Sequence, residues 1–117
     1  MEPQALAELI SGTRFRFSNE AELQDAIEKV LRSQSVTYVR EHRLSVKDRI
    51  DFMAGSVGIE VKVESSASTV LRQLWRYAAS PEVSALILVT SKARHMNMPG
   101  EITGKPVYVA HLLASFF

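Results

Sequence analysis

Two carboxylates and an ammonium group, Asp51, Glu60 and Lys62, are the residues whose types and spacing could do chemistry. Arg49 to Ala54 and Gly58 to Val63 read as two strands. Between them, Gly55-Ser56 suits a type II′ turn, with glycine at its first central position. That register sets Ala54 against Val57, Met53 against Gly58 and Phe52 against Ile59, and it brings Asp51 directly opposite Glu60. Directly opposed residues share a sheet face with Cβ atoms roughly 5 Å apart, and like charges so placed repel. Lys62, two residues beyond Glu60, falls on the same face. Ile50, Phe52, Ile59, Val61 and Val63 are expected on the other. A divalent cation would offset the repulsion. Magnesium takes oxygen ligands, keeps several waters and needs only one or two carboxylates. Asp51 and Glu60 supply these, and the Val61 carbonyl is a plausible third protein ligand. Lys62 would orient or activate the attacking water and offset charge in the transition state of phosphodiester hydrolysis.

A fourth member comes from the helix before the hairpin. Asn19 reads as an N-cap, with Glu22 three residues on to close a capping box. The helix then runs from about Glu20 to Arg32, with Leu23, Ile27, Val30 and Leu31 as its apolar stripe. Glu20 lies three residues before Leu23 and seven before Ile27, so it shares that stripe. A carboxylate there is costly unless partnered, and the hairpin cluster is its expected neighbour. Glu22 lies well round the helix.

The remaining elements frame this group. Pro3 to Ile10 is a short amphipathic helix, and Arg14 to Phe17 an extended segment. Val36 to Ser45 reads as the strand preceding the hairpin. Ser68 or Thr69 is expected to cap a helix through Ala79, with Val70, Leu71, Leu74, Trp75 and Ala78 as its apolar face. Ala85 to Val89 is an unbroken apolar run suited to a strand buried on both faces. Ser91 to Gly104 reads as a long loop, Val107 to Val109 as a last strand, and His111 to Phe117 as a closing helix. The order is helix, three strands, helix, strand, with extra elements at both ends, and nothing divides residues 1–117 into two domains.

The Asp51, Glu60, Lys62 pattern with Glu20 resembles the PD-(D/E)XK nuclease superfamily. The matching residues are Ile50-Asp51 and Ile59-Glu60-Val61-Lys62-Val63, with Ile50 where the family name has proline. Glu20-Ala21-Glu22-Leu23 is similar to the first-helix motif of archaeal Holliday-junction resolvases. Gln73 to Tyr77 is similar to the Gln-x-x-x-Tyr motif of the RecB-like branch. The resemblance implies a restriction-endonuclease-like α/β fold, an αβββαβ core whose central mixed sheet is flanked by helices. It implies a metal site at Glu20, Asp51, Glu60 and the Val61 backbone, with Lys62 catalytic and Gln73 and Tyr77 contacting substrate. Arg72 and Arg76, on the same helix, would grip phosphates.

The expected activity is therefore Mg²⁺- or Mn²⁺-dependent hydrolysis of DNA, branched DNA included. The alternative is a nuclease-fold module that binds nucleic acid or protein without turnover. A chain of 117 residues leaves little surface beyond such a core, which favours a homodimer. The net charge of +1 means that DNA contact must come from local basic patches. The absence of cysteine excludes disulfides and thiolate metal sites and fits a cytoplasmic protein. No signal peptide or membrane span is evident.

Overall fold

The computed structural model describes residues 1–112. In chain order the elements are α1 (Pro3–Ser11), α2 (Glu20–Ser33), β1 (Val39–Arg43), β2 (Arg49–Ala54), β3 (Val57–Val61), α3 (Ala67–Ala78), β4 (Ala85–Thr90), a 3₁₀ turn (Ala93–His95), β5 (Glu101–Ile102) and β6 (Lys105–His111). The six strands form one mixed sheet in the order β1-β2-β3-β4-β6-β5. β3, β4 and β6 run parallel to one another; the other pairings are antiparallel. Among the described residues no helix is long and apolar enough to cross a membrane.

Three layers result. Leu6 and Ile10 of α1 and Leu23, Ile27 and Leu31 of α2 pack with Phe52, Ile59, Val61, Ile87 and Val89 on one face of the sheet. Val70, Leu74 and Tyr77 of α3 pack with Met53, Leu86, Leu88 and Val107 on the other. β4 supplies alternate residues to both cores, so all six of its residues are buried and the strand reads as one apolar run.

Local chemistry fixes the boundaries. Pro3 opens α1, where a missing N–H costs nothing. Asn19 caps α2 through the Glu22 N–H (2.8 Å). The return bond of the box goes one residue further back than expected, with the Ser18 N–H donating to Glu22 Oε1 (2.7 Å). Ser66, rather than Ser68 or Thr69, caps α3 by accepting from the Thr69 N–H. Ser65 stands at φ +74° and turns the chain directly from β3 toward the helix, so the helix starts earlier. Gly55 has the positive φ that the tight hairpin requires.

Other expectations shift. β1 is shorter than Val36–Ser45 because the Val36 N–H is taken by the Leu31 carbonyl at the end of α2. The Ser91–Gly104 segment contains the 3₁₀ turn and β5, and β5 joins β6 through Thr103 and Gly104, both at positive φ. That combination is the type I′ hairpin turn, written here with a threonine that the left-handed region disfavours. His111 ends β6 instead of opening a helix; residues 113–117 of that expected helix lie outside the described residues.

Candidate metal centre

The β2–β3 ladder runs in the expected register, Ala54 with Val57, Met53 with Gly58 and Phe52 with Ile59. Beyond Phe52–Ile59 the carboxylates take over the hydrogen bonding. The Asp51 N–H donates to Glu60 Oε1 (3.2 Å), and the Val61 N–H donates to Asp51 Oδ2 (2.8 Å). The two acidic side chains thus meet at the end of the hairpin, each held by a backbone amide. Lys62 Nζ lies 3.5 Å from Glu60 Oε2, and the Lys62 N–H donates to the Val89 carbonyl of β4 (2.9 Å).

A distortion of β1 and β2 accompanies this arrangement. Arg40 pairs with Phe52 and His42 with Ile50, which leaves Glu41 across from Asp51. Glu41 has φ +54°, a left-handed conformation that costs a non-glycine residue on the order of 1–2 kcal/mol. The strand faces exchange at this point. Arg40 reaches Asp25 and Glu28 of α2, whereas His42, two residues on, reaches Glu82 beyond α3. Likewise Phe52 lies in the α1/α2 core and Ile50 in the α3 core. Ile50 was expected beside Phe52; the switch at Glu41 and Asp51 overrides simple alternation.

Glu60 is only 2% exposed. Burial, and then the Asp51 charge, push its carboxyl up from 4.5 to about 8, against the lowering influence of Lys62, the Asp51 N–H and the Tyr77 hydroxyl. Asp51 is raised as well, chiefly by burial, with the Glu20 charge adding to the effect and the Val61 N–H and Lys62 opposing it. One ammonium faces the buried Glu60 and the half-buried Asp51 carboxyl groups, so the group is short of positive charge. All the donors are hard oxygens, which fits Mg²⁺ or Mn²⁺ and not a soft metal.

Glu20, half-buried at the first turn of α2, accepts from the Val63 N–H (3.2 Å). It therefore stands beside the segment that follows β3 and carries Lys62, close enough for its charge to act on Asp51. Among the described residues, no three acidic, histidine or cysteine side chains are grouped as a ready metal cage; Asp51 and Glu60 form a pair, with Glu20 at its rim. Val61 enters through its N–H to Asp51.

Gln73 and Tyr77 lie behind the carboxylates. Gln73 Nε2 donates to Tyr77 Oη (2.7 Å). The phenol, 1% exposed, shares its one proton between Glu60 Oε2 and the Arg49 carbonyl, each 3.2 Å away. Its pKa is raised by burial and by the Glu60 charge, so it remains a donor. This depth puts the phenol in contact with Glu60, with Gln73 behind it. Arg72 is exposed and donates to Thr69 Oγ1 at 3.5 Å; Arg76 pairs with Asp48 at 2.9 Å.

The sequence reads His95 as a solvated loop residue, and the structure places it otherwise. It is fully buried between Thr90 Oγ1 (2.7 Å) at the end of β4 and the Ser65 carbonyl (3.0 Å). Its burial has no signature in a polar loop sequence. A groove of 720 Å³ at the other end of the sheet, lined by Gln34, Thr37, Ser56 and Ser84 among others, has no acidic or basic side chain in its walls. The carboxylate pair is the stronger candidate for chemistry. No family model, curated protein or solved structure matches the chain.

Proposed function

We propose that this chain is a metal-dependent nuclease of the restriction-endonuclease-like type that hydrolyses DNA phosphodiester bonds. The observation that carries the reading is the Asp51–Glu60 pair at the end of the β2–β3 hairpin, Glu60 buried and Asp51 half-buried, with Lys62 as the nearby cation. The succession of α2, three strands, α3 and β4 around a mixed sheet supports it.

Asp51 and Glu60 would hold Mg²⁺ or Mn²⁺, with Glu20 and the Val61 backbone completing the ligand set or its water shell. The bound cation supplies Lewis acidity at a phosphate oxygen and acidifies water. Lys62 orients the attacking water and balances negative charge as the phosphorus centre is attacked. Tyr77, supported by Gln73, fixes the Glu60 carboxylate. Arg72 and Arg76 offer phosphate contacts, and a homodimer would place two such sites on two strands.

The test is cleavage of single-stranded, duplex and branched DNA with Mg²⁺ or Mn²⁺. Wild type should cut at least one of these, and Lys62→Ala should be slower by about a hundredfold or more. Equal rates for the two proteins would remove the assignment.

A further inference from the structure

The loop between β1 and β2 is tied down on both sides of an apolar tip. The Leu44 and Ser45 N–H groups both donate to the Asp48 carbonyl (2.8 and 3.3 Å). Ser45 Oγ accepts from the N–H groups of Lys47 (3.2 Å) and Asp48 (3.0 Å). Arg43 Nη1 donates to the Val46 carbonyl (3.0 Å), and Arg76 Nε holds Asp48 Oδ1 (2.9 Å). Despite this bonding, Val46 is 90% exposed. Its side chain forgoes the gain of burial and adds little to the fold.

Charge surrounds the tip. Between residues 43 and 49 stand Arg43, Lys47 and Arg49 against one carboxylate, Asp48, and Arg76 already occupies that carboxylate. All three cations are exposed, in a chain whose net charge is only +1. Cations on an edge strand such as β1 also discourage edge pairing, but that device requires neither a bare valine nor a braced loop. The loop projects from the same end of the hairpin as the carboxylates: Asp51 follows Arg49 by two residues, and Tyr77 Oη touches both the Arg49 carbonyl and Glu60.

We infer that the β1–β2 loop is a DNA probe. Val46 enters a groove of duplex DNA, while Arg43, Lys47 and Arg49 take phosphates on either side. Apolar side chains introduced into a groove between phosphate-bound cations are an established way to grip and open a base step. The inference deepens the nuclease reading and rests on it for the position of the probe beside the cleaved bond.

The experiment measures fluorescence anisotropy of labelled duplex and branched DNA with Ca²⁺ replacing Mg²⁺, over a salt series, alongside cleavage in Mg²⁺. The proteins are wild type, Val46→Asp and Lys47→Ala, with thermal unfolding as the folding control. Val46→Asp should weaken binding by about tenfold or more. Lys47→Ala should weaken it less and lower the salt slope by about one. Both should unfold at the wild-type temperature. Val46→Asp binding within twofold of wild type overturns the probe, whatever the cleavage result. Binding that depends on Val46 without any cleavage supports the probe and removes the nuclease reading instead. Absence of DNA binding by wild type overturns the probe outright.

Discussion

Glu60 Oε1 accepts the Asp51 N–H at 3.2 Å, while the Asp51 carboxylate turns to the Val61 N–H. Each acid is thus held by main chain from the opposite strand, which keeps the two carboxyl groups close to one another.

That constraint makes metal-free stability depend on pH. The Glu60 carboxyl titrates at about 8 in the folded chain against 4.5 ordinarily, so between those values the folded state holds the extra proton. Stability is therefore greatest at and below about pH 4.5 as far as this group is concerned. It falls as pH rises toward 8, by up to about 1.4 kcal/mol per pH unit. Urea unfolding in a chelator from pH 5 to 9 should show this decline. A flat profile would mean that the carboxylate is not held as described.

Metal binding should displace the same proton. At pH 7, Mg²⁺ or Mn²⁺ titrated by calorimetry in buffers of different ionisation enthalpy should release up to about one proton, and apparent affinity should climb until about pH 8. Affinity independent of pH would separate Glu60 from the ligand set.

Glu60→Gln should divide stability from activity. The amide keeps the shape and removes a buried charge, so the metal-free variant should melt a few degrees above wild type at pH 8.5. Cleavage should fall by about two orders of magnitude or more. A variant less stable than wild type at that pH would argue against net strain in the pair.

Tyr77→Phe keeps the ring in the α3 core and deletes the donor to Glu60. Stability should drop by about 1 kcal/mol. Because that hydrogen bond lowers the Glu60 pKa, its loss should move the acidic limb of the pH–rate profile to higher pH. The kcat should fall several-fold with KM for DNA unchanged. A merely structural hydroxyl would leave the profile in place.

His95→Ala should cost roughly 2–3 kcal/mol. His95 Nε2 faces the Ser65 carbonyl, which can only accept, so Nε2 carries the proton of the neutral ring; Nδ1 then accepts from the Thr90 hydroxyl, whose oxygen accepts from the Lys92 N–H (3.0 Å). Deleting the ring breaks this chain within the fold, which calorimetric unfolding would register as a lower Tm.

Much of this was legible in the sequence. Gly55-Ser56 set the hairpin register and hence the meeting of Asp51 with Glu60, and the phase of α2 selected Glu20 for the inner face. The exchange of faces at Glu41 was not legible, because it arises from a strained backbone angle and not from a residue preference. The Thr103-Gly104 turn hid behind an unusual residue choice. Gln73 and Tyr77, four apart, visibly share a helix flank, but only docking of α3 against the sheet reveals that Tyr77 touches Glu60 and Gln73 supports it. His95 draws its partners from β4 and from the turn before α3, and a linear pattern carries no trace of either.

The parallel pairing of β3 with β4 has a kinetic consequence. The hairpin that joins Asp51 to Glu60 closes over nine residues, whereas Tyr77 and Val89 reach the site only after the chain has travelled through α3 and back. Local turns close early and long crossovers late. The acids are therefore neighbours in a still-wet hairpin first, and are dehydrated only as α3 and β4 dock. Refolding of the metal-free chain should therefore meet its electrostatic barrier at the final assembly step and quicken as the pH is lowered.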